Sequence, residues 1–486
     1  MPATEVDIKQ VSPLDSLEAA PLDLVQIKPA ANKPQWAPSK YNLRTIGADG
    51  SYIVWNSHTG AISMFNPQQR QAVQALLNSG YTGEAKGIVK YLSQRGFLIP
   101  KGTDEYRQIQ LAFGQMHYRQ DILELILLAT EDCNFRCTYC YEDFARGTMQ
   151  PSVRENIKRL IEKRAPYLRY LTVGWFGGEP LYGFKAIEDL APYCVEIADR
   201  YSIKYFSHIT TNAFLLTPDV AEKLLAWRVI NYQITLDGPR EHHDRKRPAR
   251  DGSGTFDTIV SNLRSLKQRE EHFRVRIRVN YDRENYPYLE ELLTLLERDF
   301  GGDRRFVVAF HGVGKWGGAN DNKLATYGTK EAQAAKELLR KSALSKGFET
   351  SGTLRDMHSA GKNVCYAARP YNFTIGADGK VMKCTVVLDK KDHNIVGKLT
   401  PDGEMILNRE NYALWVAPSF ENDTACHKCP LVPTCQGISC PMIRIQNNVR
   451  PCAATPKSRL TNELLLTMET AKLKSREVRV GAVNER

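Results

Sequence analysis

"ILELILLATEDCNFRCTYCYED", residues 122–143, joins an apolar run of strand character to three cysteines, Cys133, Cys137 and Cys140, in C-x3-C-x2-C spacing. The number three sets the problem, because a structural zinc ion takes four ligands. No histidine occurs in the fifteen residues after Cys140 to complete such a site nearby. A fourth cysteine or histidine from elsewhere would make the loop a zinc site. Otherwise three thiolates can hold a 4Fe-4S cluster with one iron open to a small ligand, a departure from the complete Cys ligation usual for such clusters.

Moving outward, the apolar run is the first of six. "YLTVGWF", "KYFSHIT", "VINYQITL", "RVRIRVNY" and "RFVVAFH" follow it, interleaved with helical stretches such as "PSVRENIKRLIEKR" and "TPDVAEKLLAW". Six successive β/α units predict a parallel sheet closed or partly closed into a barrel. Barrels of this kind carry their chemistry at the C-terminal strand ends, where the three cysteines fall.

The chain has 486 residues, 42% of them hydrophobic and 25% charged, with 11 cysteines and a formal net charge of +11. Basic and acidic residues are interspersed, no basic stripe accompanies the charge, and no apolar run is long enough to span a bilayer. Neither nucleic acid nor membrane is therefore expected as a partner. The start "MPATEVDIKQ" lacks the basic and apolar regions of a secretory signal, which predicts a cytoplasmic protein. Ten cysteines fall in two clusters, and Cys194, in "DLAPYCVEIAD", reads as a buried core thiol.

The three-cysteine loop, with Tyr139 before the last cysteine, resembles the C-x3-C-x-aromatic-C loop of radical S-adenosylmethionine (SAM) enzymes. That resemblance implies that the open iron chelates SAM and that SAM is cleaved to a 5'-deoxyadenosyl radical. Further segments match the family. "FGGEP" is similar to its GGE motif, so Gly177, Gly178 and Glu179 would meet the SAM amino group. "TTNAFLL" is similar to its TTNG segment and makes Thr211 and Asn212 ribose candidates, with Ala213 at a place where a left-handed backbone would be strained. In "TLDGPREHHDRKRP", Thr235 and Arg247 would face the SAM carboxylate. Asp237 is either the first residue of a D-G turn or a catalytic acid–base. Arg278 and Asn280 at the end of strand five are further candidates, Arg278 for the cofactor.

Seven more cysteines, Cys365, Cys384, Cys426, Cys429, Cys435, Cys440 and Cys452, are similar in spacing to the SPASM extension of these enzymes, which holds two auxiliary 4Fe-4S clusters. The resemblance assigns Cys426, Cys429, Cys435 and Cys452 to one cluster. It assigns Cys365, Cys384 and Cys440 to the other, leaving that one a ligand short. The central group has four residues between Cys435 and Cys440 where the family usually has three. Two zinc ions held by the seven cysteines and His427 are the alternative on spacing alone.

The expected organisation is a disordered arm at 1–40 and a small winged-helix-like α+β unit at 41–118. A partial (β/α)6 barrel at 119–330, a linker helix at 331–362, a SPASM domain at 363–460 and a C-terminal helix or tail at 461–486 complete it. The resemblance implies a peptide maturase with SAM, three 4Fe-4S clusters, a precursor peptide with a leader, and a flavodoxin- or ferredoxin-type electron donor; the 41–118 unit is similar in element order to leader-recognition elements and is either such an element or a structural cap. A sulfatase-type maturase would carry an Asp after the second SPASM cysteine, where this chain has Thr385. A small-molecule dehydrogenase and a non-enzymatic metal-binding protein are the other readings.

Overall fold

The computed structural model describes residues 33–144, 146–350, 364–388, 391–417, 424–436, 440–447, 461 and 464–465. Cys452, the first part of the expected arm, much of the expected linker and most of the expected C-terminal tail lie outside these residues.

The chain opens with β1 (Gln35–Pro38), then β2 (Asn42–Ile46), β3 (Tyr52–Asn56) and β4 (Ile62–Phe65), an antiparallel sheet in the order β2-β3-β4. Helix α1 (Pro67–Ser79) starts where Asn66 and Gln69 form a capping box and Pro67 presets the first turn. After it come β5 (Tyr81–Thr82), α2 (Gly87–Gln94), β6 (Leu98–Pro100) and α3 (Glu105–His117). The expected disordered arm therefore ends early: β1 pairs with both β5 and β6. Helix α3, capped by Asp104, completes the unit.

The central unit alternates as its sequence predicts. Its elements are β7 (Ile122–Thr130), α4 (Pro151–Arg164), β8 (Tyr170–Gly177), α5 (Phe184–Arg200), β9 (Lys204–Thr211), α6 (Pro218–Ala226), β10 (Val229–Thr235), α7 (Arg240–Lys246) and α8 (Phe256–Lys267). Then follow β11 (Arg274–Tyr281), α9 (Leu289–Phe300), β12 (Phe306–Gly312), α10 (Thr329–Ser345) and β13 (Glu349–Thr350). Strands β7 to β13 are parallel neighbours in sequence order. Leu123, Leu125 and Leu127 of β7 pack with Ile157 and Ile161 of α4 in the largest core cluster, and Cys194 of α5 is fully buried in it.

The sheet does not close on itself. β14 (Asn372–Ile375) joins parallel to the free edge of β7, and β15 (Lys380–Met382), β16 (Ile395–Leu399) and β17 (Met405–Leu407) continue it antiparallel into one sheet of 11 strands. The cysteine-rich region is thus built onto the first barrel strand. Helices α11 (Arg409–Val416), α12 (Thr424–His427), α13 (Val432–Cys435) and α14 (Pro441–Asn447) follow.

The N-terminal unit packs on this region. Ile53 and Trp55 of β3 join Leu431 and Leu464, with Cys429 against them, and Ile109 and Phe113 of α3 join Val364, Cys426 and Val432. Trp55 is fully buried at this junction. Replacing it with Ala is expected to cost about 3–5 kcal/mol, as for other buried aromatics. Urea denaturation measures this cost, and limited proteolysis should show the 41–118 unit cut first; an unchanged midpoint would contradict the packing.

Candidate functional site

The three-cysteine loop leaves β7 and lies across the C-terminal ends of the next strands. Main-chain bonds strap it to the segment after α7: Arg136 N–H donates to Pro248 O (2.9 Å) and Thr138 N–H to Lys246 O (2.9 Å). On the other side it touches β8 so closely that side chains are excluded. A Cβ on Gly177, at φ +123°, would lie 1.9 Å from Thr130 O, and one on Gly178 would lie 2.4 Å from Asp132 O and 3.1 Å from Cys133 Cβ. The glycines of "FGGEP" are thus required by the loop's own backbone, where the sequence suggested approach to a ligand.

Glu179 is almost completely buried and holds the next strand end. Its Oε1 accepts from the Thr211 hydroxyl (2.6 Å) and Leu181 N–H (2.9 Å), and its Oε2 accepts from Asn212 N–H (2.6 Å). Burial pushes its carboxyl up to about 7, against the pull of these donors. Asn212 in turn donates to Asn134 of the cysteine loop (2.8 Å). Ala213 adopts the left-handed backbone expected there, at φ +62°, with its carbonyl taken by Asn262.

A second network centres on Tyr139. Its hydroxyl donates to Asp237 Oδ2 and accepts from Arg247 (2.7 Å) and Asn280 Nδ2 (3.1 Å). Asp237 Oδ1 accepts from Asn280 N–H (2.7 Å), so both carboxylate oxygens of this fully buried residue are engaged. Burial raises Asp237, and Arg247 opposes that rise. Asp237 thus ties the cysteine loop to the end of β11. Arg278 donates its Nε to Asn280 Oδ1 (2.8 Å), while Thr235 lies beside Arg278 in register.

Three contributors carried no motif in the sequence. Asn134 links the loop to Asn212, Arg136 closes it by donating to Cys133 O (2.8 Å), and Asn285 donates to the carbonyls of Asp237 (2.7 Å) and Asn280 (2.8 Å). For Asn285 a signal existed: "DREN" is an Asx-turn pattern, and Asp282 and Asn285 exchange such bonds.

Cys133, Cys137 and Cys140 are free thiols. Burial pushes all three up, Cys140 to about 12; Cys137 adds to the rise at both of the others, and Arg247 pulls Cys137 and Cys140 back down. Among the described residues no three His, Cys, Asp or Glu side chains converge as ligands of a single ion. Tetrahedral zinc would draw its thiolates within about 3.8 Å of one another, from a Zn–S bond of about 2.3 Å. Three thiols on one loop, coupled electrostatically and with the Arg247 guanidinium acting on two of them, fit a negatively charged cluster whose ligands must be thiolates.

A second set of thiols gathers on the added strands. Cys365, Cys384 and Cys440 lie within electrostatic reach of one another. Asn394 Oδ1 accepts from Cys384 N–H (2.8 Å), and Tyr366 hydrogen-bonds Thr385 (2.7 Å). Lys383 beside them is fully buried, its Nζ donating to Arg369 O (2.6 Å), and burial lowers it to about 7. Cys426, Cys429 and Cys435 lie on or next to α12 and α13.

The sequence matches the radical SAM superfamily over residues 127–296, the span from the cysteine-bearing strand to α9. Residues 127–296 form a radical SAM domain. Among curated relatives, a cysteine-type anaerobic sulfatase-maturating enzyme of Clostridium novyi is 30% identical over 32% of this chain and 43% of its own length. The mycofactocin maturase MftC of Mycobacterium tuberculosis is 27% identical over 63% of this chain and 75% of its own. An uncharacterised protein of Methanocaldococcus jannaschii is 32% identical over 35% of this chain and 57% of its own. The chain thus spans about half the length of the first curated relatives it matches. The solved structure of native anSMEcpe with bound AdoMet shares the fold, with a TM-score of 0.54 and 18% identity over 73% of this chain and 99% of that one. A radical SAM domain implies a 4Fe-4S cluster and SAM.

Tyr139→Phe leaves the buried Asp237 carboxylate without its hydroxyl donor. Such a loss costs about 1–3 kcal/mol, measurable by chemical denaturation of the protein without cluster. A variant as stable as wild type would show that the network does not anchor the loop.

Proposed function

We propose that the protein is a radical SAM peptide maturase of the SPASM type, holding three 4Fe-4S clusters. The observation that carries this reading is the joining of one strand-end loop of three thiols to Glu179, Thr211 and Asn212 at the ends of β8 and β9 and to Arg247 just after α7, with Thr235 at the end of β10. When bound, the cluster and SAM supply hydrogen abstraction from an unactivated carbon.

The chain's own residues do the positioning. Cys133, Cys137 and Cys140 would hold the cluster, and Arg247, which donates to Tyr139, favours the thiolate forms of Cys137 and Cys140. The buried Glu179, oriented by Thr211 and Asn212, would accept from the SAM ammonium. Thr235 and Arg247 would hold the SAM carboxylate. Cys365, Cys384 and Cys440 would hold one auxiliary cluster, and Cys426, Cys429, Cys435 and Cys452 the other, as sinks for the electron left on the product.

In a relative's structure, anSMEcpe is bound to a Cp18Cys peptide, which supports a peptide as the substrate class. The sheet β2-β3-β4 ends in open edges among the described residues, where a leader strand would add. An external flavodoxin or ferredoxin supplies the electron. Sulfatase maturation is disfavoured by Thr385, whose hydroxyl is engaged with Tyr366 where that chemistry would place a carboxylate.

Anaerobic reconstitution tests the reading. Three four-iron clusters require about twelve irons per chain, with 5'-deoxyadenosine formed from SAM. The Cys133→Ala/Cys137→Ala/Cys140→Ala variant should lose about four irons and all deoxyadenosine. Zinc in place of iron, or a fully loaded protein that leaves SAM intact, would contradict it.

A further inference from the structure

The parallel sheet has two unlike faces. On β11 the pattern is sharpest: Val275, Ile277 and Val279 are buried against the helices, while Arg274 and Arg276 are exposed and Arg278 is half-buried on the opposite, concave face. Strand alternation places Arg274, Arg276, Arg278 and Asn280 in one ladder, with successive rungs about 6.6 Å apart. The top rung, Asn280, touches Tyr139 of the cysteine loop, so Arg278 stands one rung from the cofactor site.

Neighbouring strands add hydrogen-bond donors to this face. Asn280 pairs in register with His311 of β12. His208 of β9 lies across Gly174 of β8, where a Cβ would come within 2.4 Å of its Nε2. Burial lowers both imidazoles, His311 to about 3, with Arg278, Lys336 and Arg276 lowering His311 further and Arg276 acting on His208. Two carboxylates of these strands are already held: Glu124 accepts from Arg369 (2.9 Å) and Asn372 (3.0 Å), and Glu349 lies 3.5 Å from Arg274. Beyond its Nε bond to Asn280, the guanidinium of Arg278 has no further hydrogen-bond partner among the described residues.

We propose that this concave face receives a carboxylate of the substrate, held by the open fork of Arg278 with Arg276 on the next rung. This rests on the maturase reading and narrows its substrate to a peptide that brings an anionic group close to the reacting carbon. A guanidinium fork suits a carboxylate because it donates two parallel hydrogen bonds. The neutral imidazoles of His208 and His311 donate without adding charge. The carboxylate is either the α-carboxylate of a peptide end or an Asp or Glu side chain, which share this chemistry. The role of Arg278 thereby moves from the cofactor to the substrate.

Arginine footprinting tests this on the reconstituted full chain with SAM, under anaerobic conditions. Phenylglyoxal modification of Arg276 and Arg278 is followed by mass spectrometry in the presence of paired probes. One pair is acetyl-Gly-Ala-Gly as free acid and as amide. The other is acetyl-Gly-Asp-Gly-amide and acetyl-Gly-Asn-Gly-amide. The acid member of one pair should slow modification of Arg278 about tenfold relative to its neutral twin, the factor given by about 1.4 kcal/mol, and the responding pair identifies the source. Arg278→Gln should abolish the protection of Arg276 while circular dichroism stays that of wild type. Equal protection by acid and neutral twins, or full protection of Arg278 by SAM alone, overturns the proposal. Deoxyadenosine measured in the same samples separates the two claims. Its formation without discrimination between twins sinks only the carboxylate site, and discrimination without deoxyadenosine supports the site while sinking the radical reading.

Discussion

The phenolic oxygen of Tyr139 is the point on which the site depends. It lies on the loop between Cys137 and Cys140, donates to a fully buried carboxylate on the turn after β10, and accepts from an arginine and from the end of β11. One hydroxyl thereby fixes a flexible loop against two strand ends in a setting where burial would otherwise penalise every charge present. Asp237 and Arg247 offset each other across it, which keeps both tolerable without solvent. The Gly177 and Gly178 contacts on the other side of the loop complete the clamp. Between them the three thiols are held in place before any guest arrives, an arrangement of the kind preorganised cofactor sites require.

Because the loop is clamped from both sides, strand order translates directly into site order. Each of β7 to β11 ends in a group that belongs to the site or to its support, and the parallel register brings these ends to one edge. The added strands extend this logic. By pairing β14 with β7, the chain sets Cys365 and Cys384 beside the open end of the sheet, and the N-terminal unit then covers Cys426 and Cys429 with apolar side chains. Burial of this kind is one of the factors that tune a cluster's potential.

The six strands were legible because their apolar runs repeat with helical stretches between them, and local pattern alone decides such elements. Strand β14 was not, since its four residues carry no period and are made a strand by the edge of β7. Strand β1 escaped for the same reason, lying in a proline-rich stretch that becomes ordered only by pairing with β5 and β6. At the site, residue types were readable and their contacts were not. The sequence suggests Thr211 for a ribose and two glycines for a ligand, but carries no sign that the Thr211 hydroxyl bonds Glu179 or that the carbonyls of Thr130 and Asp132 lie against the glycines. Side-chain direction at a strand end is set by neighbours hundreds of residues away or on the next strand, which spacing along the chain does not encode.

The central claim is that Cys133, Cys137 and Cys140 hold a cluster with one iron reserved for SAM. The most direct measurement is the low-temperature electron paramagnetic resonance spectrum of the reduced, reconstituted protein with SAM labelled by 15N at its amino group, recorded with electron–nuclear double resonance. The account predicts a hyperfine coupling from that nitrogen to a single cluster, absent from the variant that lacks the three thiols. A spectrum unchanged by SAM, or a coupling that survives removal of those thiols, would contradict it.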